Sequence, residues 1–214
     1  MDNKKTIITI GRQFGSGGRE IGVIIAEELG IKLYDKEMLK IASEESGLCE
    51  EFFEKHDEKP TSSFLYSLVM DTYAMNYSTN AFSDMPLNHK VFLAQYNAIK
   101  KIASEDSCIL IGRCADYALD DIQECSRIFV HANMESRIHR IARIYDLTDT
   151  KAKDLILKTD KKRSAYYNYF SNKKWGYAES YDLSIDSSIL GPRETANAII
   201  EYVKIKNKTH NNNL

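Results

Sequence analysis

The chain has 214 residues, 43% of them hydrophobic and 28% charged, which fits one domain with a sizeable core. Its 31 acidic and 29 basic residues give a net charge of −2, so no overall field favours nucleic acid or a membrane surface as a partner. No apolar run reaches the roughly 18 to 20 residues of a membrane span, and the N-terminus lacks the apolar region of a signal peptide. The four cysteines show no metal-ligand spacing. This pattern predicts free thiols, no metal held by the protein alone, and a cytoplasmic location.

The first elements along the chain are a strand, a glycine-rich turn and a helix. Residues 6–10 are apolar and mostly β-branched, which predicts a buried strand, and the apolar spacing over 19–29 predicts a helix. A short strand over 31–34 follows, and then a helix over 36–46 for which Asp35 is the expected N-cap. This order is the opening unit of a parallel α/β sheet.

The remainder of the chain continues the alternation of strands and helices. Apolar runs predict further strands, and the helical spacing of apolar residues predicts further helices. The order indicates a doubly wound parallel α/β sheet of about five strands flanked by helices, in a single domain over 1–206. The predicted strands are 108–112, 126–131 and 181–186, and the predicted helices are 88–104, 149–171 and 193–205, with an arginine-rich helix after residue 131, a helical insert over 47–90, a lid region over 144–178 and a disordered tail over 207–214.

The turn between the first strand and the first helix has the composition of a phosphate-binding loop. Its glycines allow backbone N–H groups to converge on an anion, and the start of a helix adds a partial positive charge. Arg12 and Arg19 flank the turn, and guanidinium groups bind phosphate oxygens in pairs. A flexible turn without a ligand is the alternative. The residues predicted to bind the phosphates of a nucleotide are Gly15, Ser16, Gly17, Gly18, Arg19 and Glu20.

The turn departs from the standard P-loop pattern GxxxxGK[ST]. If Gly18 is the last glycine of the pattern, Arg19 takes the lysine position and Glu20 the hydroxyl position; shifted by one residue, Gly18 itself takes the lysine position. The lysine and the magnesium-binding hydroxyl are absent in both registers, so Mg²⁺ would need a ligand such as Ser16 or Asp35. The pattern indicates a P-loop-type fold with an atypical loop, and it leaves the catalytic activity of that loop open.

A second group of charged residues lies in the second half of the chain. Arg137, Arg140 and Arg143 follow one another at intervals of three on one predicted helix. Asp160 and Arg163 have the same interval on the next helix, where they can pair. Phosphoryl transfer requires positive charge around the transferred group, so the set predicts a lid. A solvated basic face with ordinary salt bridges is the alternative.

Several segments resemble the cytidylate kinase-like family, a branch of the nucleoside monophosphate kinase group. The longest is ITIGRQFGSGGREIGVIIAEELGIKLYDKEML at 8–39, and the others are 109–113, 129–140 and 181–188. The resemblance spans most of the chain except about 47–90, which would be an insert on the acceptor side. It implies a P-loop-type kinase that uses ATP and Mg²⁺ and transfers a phosphoryl group to a nucleoside monophosphate, with CMP as the model acceptor.

The resemblance also implies roles for individual residues. Arg113 would contact the phosphate of the acceptor, and Asp35 lies where the acceptor-binding segment begins. Arg140, Asp160 and Arg163 match the lid residues that orient and neutralise the transferring phosphoryl group. These assignments place the acceptor on one side of the glycine-rich turn and the lid on the other.

Two further residues complete the predicted site. Arg12 is assigned to the transferring group from its place beside the loop, whereas Tyr167, in an aromatic segment, either stacks on a substrate base or packs the lid against the core. The chain has Cys114 where the family has an aspartate, and Ile41 where it has an acceptor-site arginine. These differences bear on cytosine recognition more than on phosphoryl chemistry. A non-catalytic nucleotide sensor and a kinase of the same fold with another small acceptor remain alternatives, and no oligomeric state is indicated.

Overall fold

The structure, a computed structural model, describes residues 5–47 and 86–212. These residues form a five-stranded parallel sheet with helices on both faces, which confirms the predicted doubly wound architecture. Apart from its two ends, the predicted helical insert over 47–90 lies outside the described residues. Among the helices that the structure describes, none combines the length and apolar composition that a membrane crossing requires.

The five strands lie in the order β2-β3-β1-β4-β5, and all neighbouring strands are parallel. The central position belongs to β1, because its apolar residues are buried on both faces of the sheet. The predicted strands are therefore present, with ends that differ by a few residues from the prediction. Their bounds are β1 Ile7–Arg12, β2 Lys32–Tyr34, β3 Cys108–Ile111, β4 Cys125–His131 and β5 Leu183–Asp186.

The helices agree with the sequence prediction except at the C-terminus and after β3. The last helical element runs from Ser187 to Asn212 and consists of two helices joined at a kink at Gly191. The second of them begins after Gly191, as predicted, whereas the short helix before the kink was not predicted. Residues 207–212 of the expected disordered tail are helical, and residues 213–214 lie outside the described residues. A short helix after β3 was not predicted. The bounds are α1 Gly18–Leu29, α2 Glu37–Ser46, α3 Leu87–Glu105, α4 Ala115–Ala118, α5 Met134–Tyr145, α6 Asp149–Ser171 and α7 Ser187–Asn212, with a 3₁₀ turn at Ala178–Ser180.

The core consists of two layers, one on each face of the sheet. On one face, α1 and α7 pack Ile21, Ile25 and Ile199 against the strands. On the other face, α2, α3 and α4 pack residues such as Met38 and Ile99. Because helices cover both faces, the sheet is rigid and the loops at the carboxyl ends of its strands are held in fixed positions.

Arg127 on β4 organises the connection between α4 and β4. Its guanidinium donates hydrogen bonds to the carbonyl oxygens of Leu119 (2.8 Å), Asp120 (3.0 Å) and Ile122 (3.2 Å). The side chain is largely buried, and the backbone N–H of Arg127 donates to the carboxylate of Asp182 at 2.9 Å. One planar cation thus satisfies several carbonyl groups of an irregular segment.

Replacing Arg127 by methionine should lower the free energy of unfolding by about 2–4 kcal/mol, because the carbonyl groups between α4 and β4 lose their donor. Urea denaturation measures the loss. The matched control is Arg193→Met: Arg193 pairs with Glu28 at 2.6 Å, but both side chains are more than half exposed, and its loss should stay below about 1 kcal/mol. Equal losses in the two variants would contradict the anchoring role of Arg127.

Candidate active site

A cationic cleft of about 800 Å³ lies at the carboxyl edge of the sheet, beside the start of α1 and the outer part of α5. It opens near the point where the strand order reverses on either side of β1, which is the usual ligand position in this architecture. Six cationic side chains and two carboxylates line it, although the whole chain has a net charge of −2. Ten predicted site residues lie on the cleft: Arg12, Gly15, Gly17, Gly18, Arg19, Glu20, Asp35, Arg113, Arg140 and Arg163.

The glycine-rich turn forms the floor of this cleft. Gly15 and Gly17 have φ of 83° and 80°, in the left-handed region that favours glycine, and α1 begins directly afterwards at Gly18. The first helical hydrogen bond runs from the N–H of Ile21 to the carbonyl of Gly17 at 2.9 Å. The preceding amides in the first turn have no acceptor within the helix. The turn therefore presents backbone donors at the positive end of α1, as an anion site requires.

A buried ion pair holds the turn from behind. The N–H of Phe14 donates to Asp160 Oδ1 at 2.8 Å, and Arg137 Nε donates to the carbonyl of Phe14 at 3.0 Å. Arg137 Nη2 in turn donates to Asp160 Oδ2 at 2.5 Å. Burial raises the pKa of Asp160, while the Phe14 N–H and Arg137 act in the opposite direction. Asp160 thus positions the turn, together with a residue that the sequence-based site did not include.

Ser16 faces the interior of the turn instead of the cleft. It is buried, and its hydroxyl donates to the carbonyl of Gln13 at 2.9 Å. Its own carbonyl accepts a hydrogen bond from the hydroxyl of Ser187 at 2.6 Å. The Ser16 hydroxyl thus stabilises the bend itself, and its suggested role as a ligand of Mg²⁺ stays a prediction. Ser187, which follows β5, supports the turn from across the sheet.

Asp35 joins two arginines at the end of β2. Its carboxylate accepts hydrogen bonds from Arg113 Nη1 at 3.2 Å and from Arg19 Nε at 3.0 Å. Burial opposes ionisation, but the charges of Arg113 and Arg12 and these hydrogen bonds outweigh it, so the pKa of Asp35 lies below its ordinary value. Asp35 is not the N-cap of α2: that position is Lys36, without a side-chain cap. The carboxylate that was expected to cap α2 accepts hydrogen bonds from Arg19 and Arg113 instead.

The segment after β3 has an uncommon backbone. Gly112, Arg113 and Cys114 have φ of 72°, 51° and 56°, so three successive residues lie in the left-handed region. For residues with a β-carbon this conformation costs about 1–2 kcal/mol each. The bend lets the buried Arg113 donate to the backbone carbonyl of Asp35 at 2.9 Å as well as to its carboxylate. Strain of this kind persists where a side chain must be held in one place.

The two predicted lid arginines approach the turn from α5 and α6. Arg140 forms an ion pair with Glu20, and a β-carbon on Gly17 would lie 3.1 Å from the guanidinium carbon of Arg140. Arg163 lies over the ring of Phe14 at 5.5 Å and donates to the carbonyl of Arg12 at 3.3 Å. Both cations therefore border the place where the turn directs its amides.

Tyr167 is packed inside the protein, next to the cleft rather than on it. Its hydroxyl donates to the buried carboxylate of Asp116 at 2.5 Å, and its ring is stacked with that of Tyr181 at 6.1 Å. Burial raises the pKa of both Asp116 and Tyr167. With Arg113, these residues line a cavity of about 20 Å³, enough for one water molecule. Of the two alternatives for Tyr167, the structure shows the packing one, and Asp116 was missed because its partner is distant in sequence.

Comparison with known proteins adds a family and a fold. The model of the cytidylate kinase-like family matches residues 7–189, whereas no curated protein matches the chain. An uncharacterized protein from Eubacterium ventriosum ATCC 27560 has a similar crystal structure, with a TM-score of 0.69 and 25% identity over 94% of this chain and 99% of that one.

Two further solved structures are similar in fold. Shikimate kinase from Bacteroides thetaiotaomicron has a TM-score of 0.53 at 12% identity, over 93% of this chain and 98% of its own. TT1252 from Thermus thermophilus has a TM-score of 0.52 at 14% identity, with the same coverage of 93% and 98%. Such low identities carry information on the fold alone. They confirm the predicted P-loop-type fold.

Replacing Asp160 by asparagine should lower the free energy of unfolding by about 3–5 kcal/mol, because it leaves the buried charge of Arg137 without its counter-ion. Urea denaturation measures the loss, and hydrogen exchange at the amide of Phe14 should become faster. Asp154→Asn, at an exposed position of the same helix, is the control and should change stability by no more than about 0.5 kcal/mol. An Asp160 variant as stable as this control would refute the clamp on the turn.

The carboxylate of Asp35 should stabilise the protein in a pH-dependent way. Its folded-state pKa lies below the ordinary value of 3.8, so its contribution is complete above that pH and is lost as the pH falls through the folded-state pKa. The difference in free energy of unfolding between the wild type and Asp35→Asn should therefore be constant from about pH 8 to about pH 5 and shrink below about pH 3.8. Denaturation curves at several pH values test this. If the difference in free energy of unfolding already shrinks near neutral pH, the folded-state pKa of Asp35 is raised and the prediction is wrong.

Proposed function

The chain therefore belongs to the cytidylate kinase-like family, and from this premise we propose that it transfers the γ-phosphoryl group of ATP to a nucleoside monophosphate such as CMP. The observation that carries the proposal is the cleft of six cationic side chains around the glycine-rich turn, in a protein whose net charge is negative. The six cations outnumber the two carboxylates of the cleft, and a polyanionic ligand would compensate this excess of positive charge. Two phosphorylated substrates that meet in one cleft are such a ligand.

On the donor side, the turn and the first residues of α1 bind the phosphates of ATP. The N–H groups of Gly18, Arg19 and Glu20 belong to the first helical turn and point toward the anion. Arg19 adds a side-chain charge at the mouth of the cleft. The buried pair behind Phe14 keeps the turn in this shape before ATP arrives, so that binding need not reorganise it.

On the acceptor side, Arg113 positions the phosphate of the nucleoside monophosphate. Asp35 fixes the direction of this guanidinium, which is buried and cannot swing freely. Lys36 lies on the same side of the cleft. The residue that replaces the expected acceptor arginine, Ile41, packs partly into the core. Recognition of the acceptor therefore depends on Arg113 and Lys36.

The transferring group passes between these two sides. Phosphoryl transfer asks the protein for alignment and for positive charge on the equatorial oxygens. Arg12, Arg140 and Arg163 border the space between the turn and Arg113 and supply that charge. The lid formed by the region 144–178 excludes water, which limits hydrolysis of ATP.

The residues of the cleft also fit the Mg²⁺ that accompanies ATP. Magnesium in kinases is held by substrate phosphates, water and one or two carboxylates. Within the residues that the structure describes, no cluster of three or more metal-ligating side chains exists, so the phosphates must provide much of the coordination. Glu20 and Asp35 are the carboxylates that line the cleft. Glu20 is the more exposed of the two and would hold the ion, which neutralises phosphate charge when bound.

Incubation of the purified protein with ATP, Mg²⁺ and a panel of acceptors tests this function, with ADP release and the phosphorylated product as readouts. We expect ADP release that depends on a nucleoside monophosphate, and a decrease of about 10²-fold in kcat for Arg163→Met. The control Lys162→Met removes a neighbouring exposed cation on the same helix and should leave kcat unchanged.

The other outcomes separate the alternatives. ADP release with a different small molecule would replace the acceptor while the reaction class stands. ATP binding without any acceptor-dependent ADP release would identify a nucleotide sensor instead. If neither ATP nor CMP binds, measured by calorimetry, the nucleotide role of the cleft is refuted.

A further inference from the structure

We propose that a cationic residue and a glycine have exchanged positions in this phosphate-binding turn. In the standard pattern the first glycine is followed about six residues later by a lysine. Here Arg12 stands at the position of that glycine and supplies the charge, and Gly18 stands at the position of the lysine. This inference rests on the donor role proposed above for the turn. It explains how the turn can lack the lysine of GxxxxGK[ST] and still present a cation to the phosphates of ATP.

The register of the pattern follows from the backbone. In P-loops the lysine follows the last glycine of the loop, where the helix opens. Here Gly17 has the left-handed conformation of the N-cap, and Gly18 is the first residue of α1. Gly17 is therefore the last loop glycine, Gly18 takes the lysine position, and the first glycine of the pattern falls on Arg12. The two departures from the pattern are thus reciprocal: an arginine for a glycine, and a glycine for a lysine.

The two positions share one point in space. A β-carbon on Gly18 would lie 2.6 Å from Cβ of Arg12 and 3.1 Å from its Cγ. The Cβ of Arg12 is fixed by the backbone, so it cannot move aside without moving the end of β1. Side chains at positions 12 and 18 therefore exclude each other, and only one of the two positions can carry the cation. An arginine at one requires a glycine at the other.

The guanidinium of Arg12 extends from this point toward the acceptor side. A β-carbon on Gly112 would overlap Arg12 Nη1 at 1.8 Å, so the arginine lies directly on the glycine that follows β3. It borders both the cationic cleft and the small cavity beside Tyr167. Its charge also contributes to the lowered pKa of Asp35. The cation thus lies between the turn and Arg113, the region through which the transferred group moves.

This position suits the task of the missing lysine. The lysine of a P-loop reaches the β- and γ-phosphates as a point charge. An arginine that starts from the same point stays charged at all relevant pH values and can hold two phosphate oxygens at once. Arg12 is the last residue of β1, so the central strand fixes its backbone. Its carbonyl accepts a hydrogen bond from Arg163 at 3.3 Å. The relocated cation is therefore held by the sheet and linked to the lid.

The test uses calorimetric binding of ATP together with the melting temperature measured without nucleotide. Arg12→Met keeps most of the side chain that packs on the two glycines but removes the charge, and it should weaken ATP binding roughly 10- to 100-fold. Arg143→Met, at an exposed arginine on α5 that does not line the cleft, is the matched control and should bind ATP like the wild type.

The decisive variant restores the standard pattern. Arg12→Gly alone should bind ATP weakly, whereas Arg12→Gly combined with Gly18→Lys should recover most of the affinity. Gly18→Lys in the presence of Arg12 should lower the melting temperature, because the two side chains overlap. Binding by Arg12→Met at wild-type affinity, or a folded double variant that binds no more tightly than Arg12→Gly, would overturn the exchange.

Failure of the proposed function gives a different result. If the wild type itself binds no ATP, the donor role of the turn is refuted. The proposal that the cation of position 18 has moved to position 12 is then refuted as well. The steric overlap between side chains at positions 12 and 18 is still testable by the melting temperature. Gly18→Ala should lower the melting temperature of the wild type and lower it much less in the Arg12→Gly background. Equal decreases in both backgrounds would refute the steric exchange as well.

Discussion

The backbone N–H and carbonyl of Phe14 are both held by one largely buried ion pair, and the geometry of the cleft depends on this contact. Asp160 accepts from its N–H and Arg137 donates to its carbonyl. Because Arg137 lies on α5 and Asp160 on α6, the pair ties both helices to the loop after β1. An opening of the whole of α6 would break these bonds and leave buried charges unpaired, which is strongly unfavourable. Any lid movement compatible with the clamp must therefore occur beyond Asp160 or within side chains such as Arg140.

The cleft also shows how a protein with a negative net charge can concentrate positive charge locally. Its arginines are not exposed in solvent as isolated cations. Asp35 holds Arg113, and Glu20 holds Arg140, so two carboxylates keep two guanidinium groups oriented at the edge of the turn. Such pairing reduces the mutual repulsion of the cations. The protein itself therefore holds the positive charge of the cleft in place.

Local sequence patterns predicted the strands, the long helix α6 over Asp149–Ser171 and the glycine-rich turn, because apolar periodicity and backbone requirements act over a few residues. They also named ten of the residues that line the cleft. The errors at Asp35 and Arg137 share one cause: each side chain was interpreted from its neighbours in sequence, but its partner is distant in sequence. Asp35 was expected to cap α2, but arginines from other elements took its carboxylate. Arg137 looked like its two neighbours on α5, although burial against Phe14 gives it a separate task.

The absence of the P-loop lysine is the strongest argument for a nucleotide sensor without catalytic activity. How strong this argument is depends on what a sequence motif encodes. A sequence motif states which position carries the cationic side chain, whereas phosphate binding requires only that a cation reach the phosphates. A β-carbon on residue 18 would lie 2.6 Å from Cβ of Arg12. Under the exchange proposed above, the pattern is therefore lost while a cationic side chain still starts from the same point. Loss of the motif and loss of the function are then different events. The missing P-loop lysine therefore does not by itself exclude catalysis in this turn, because Arg12 starts from the space that a side chain at position 18 would need.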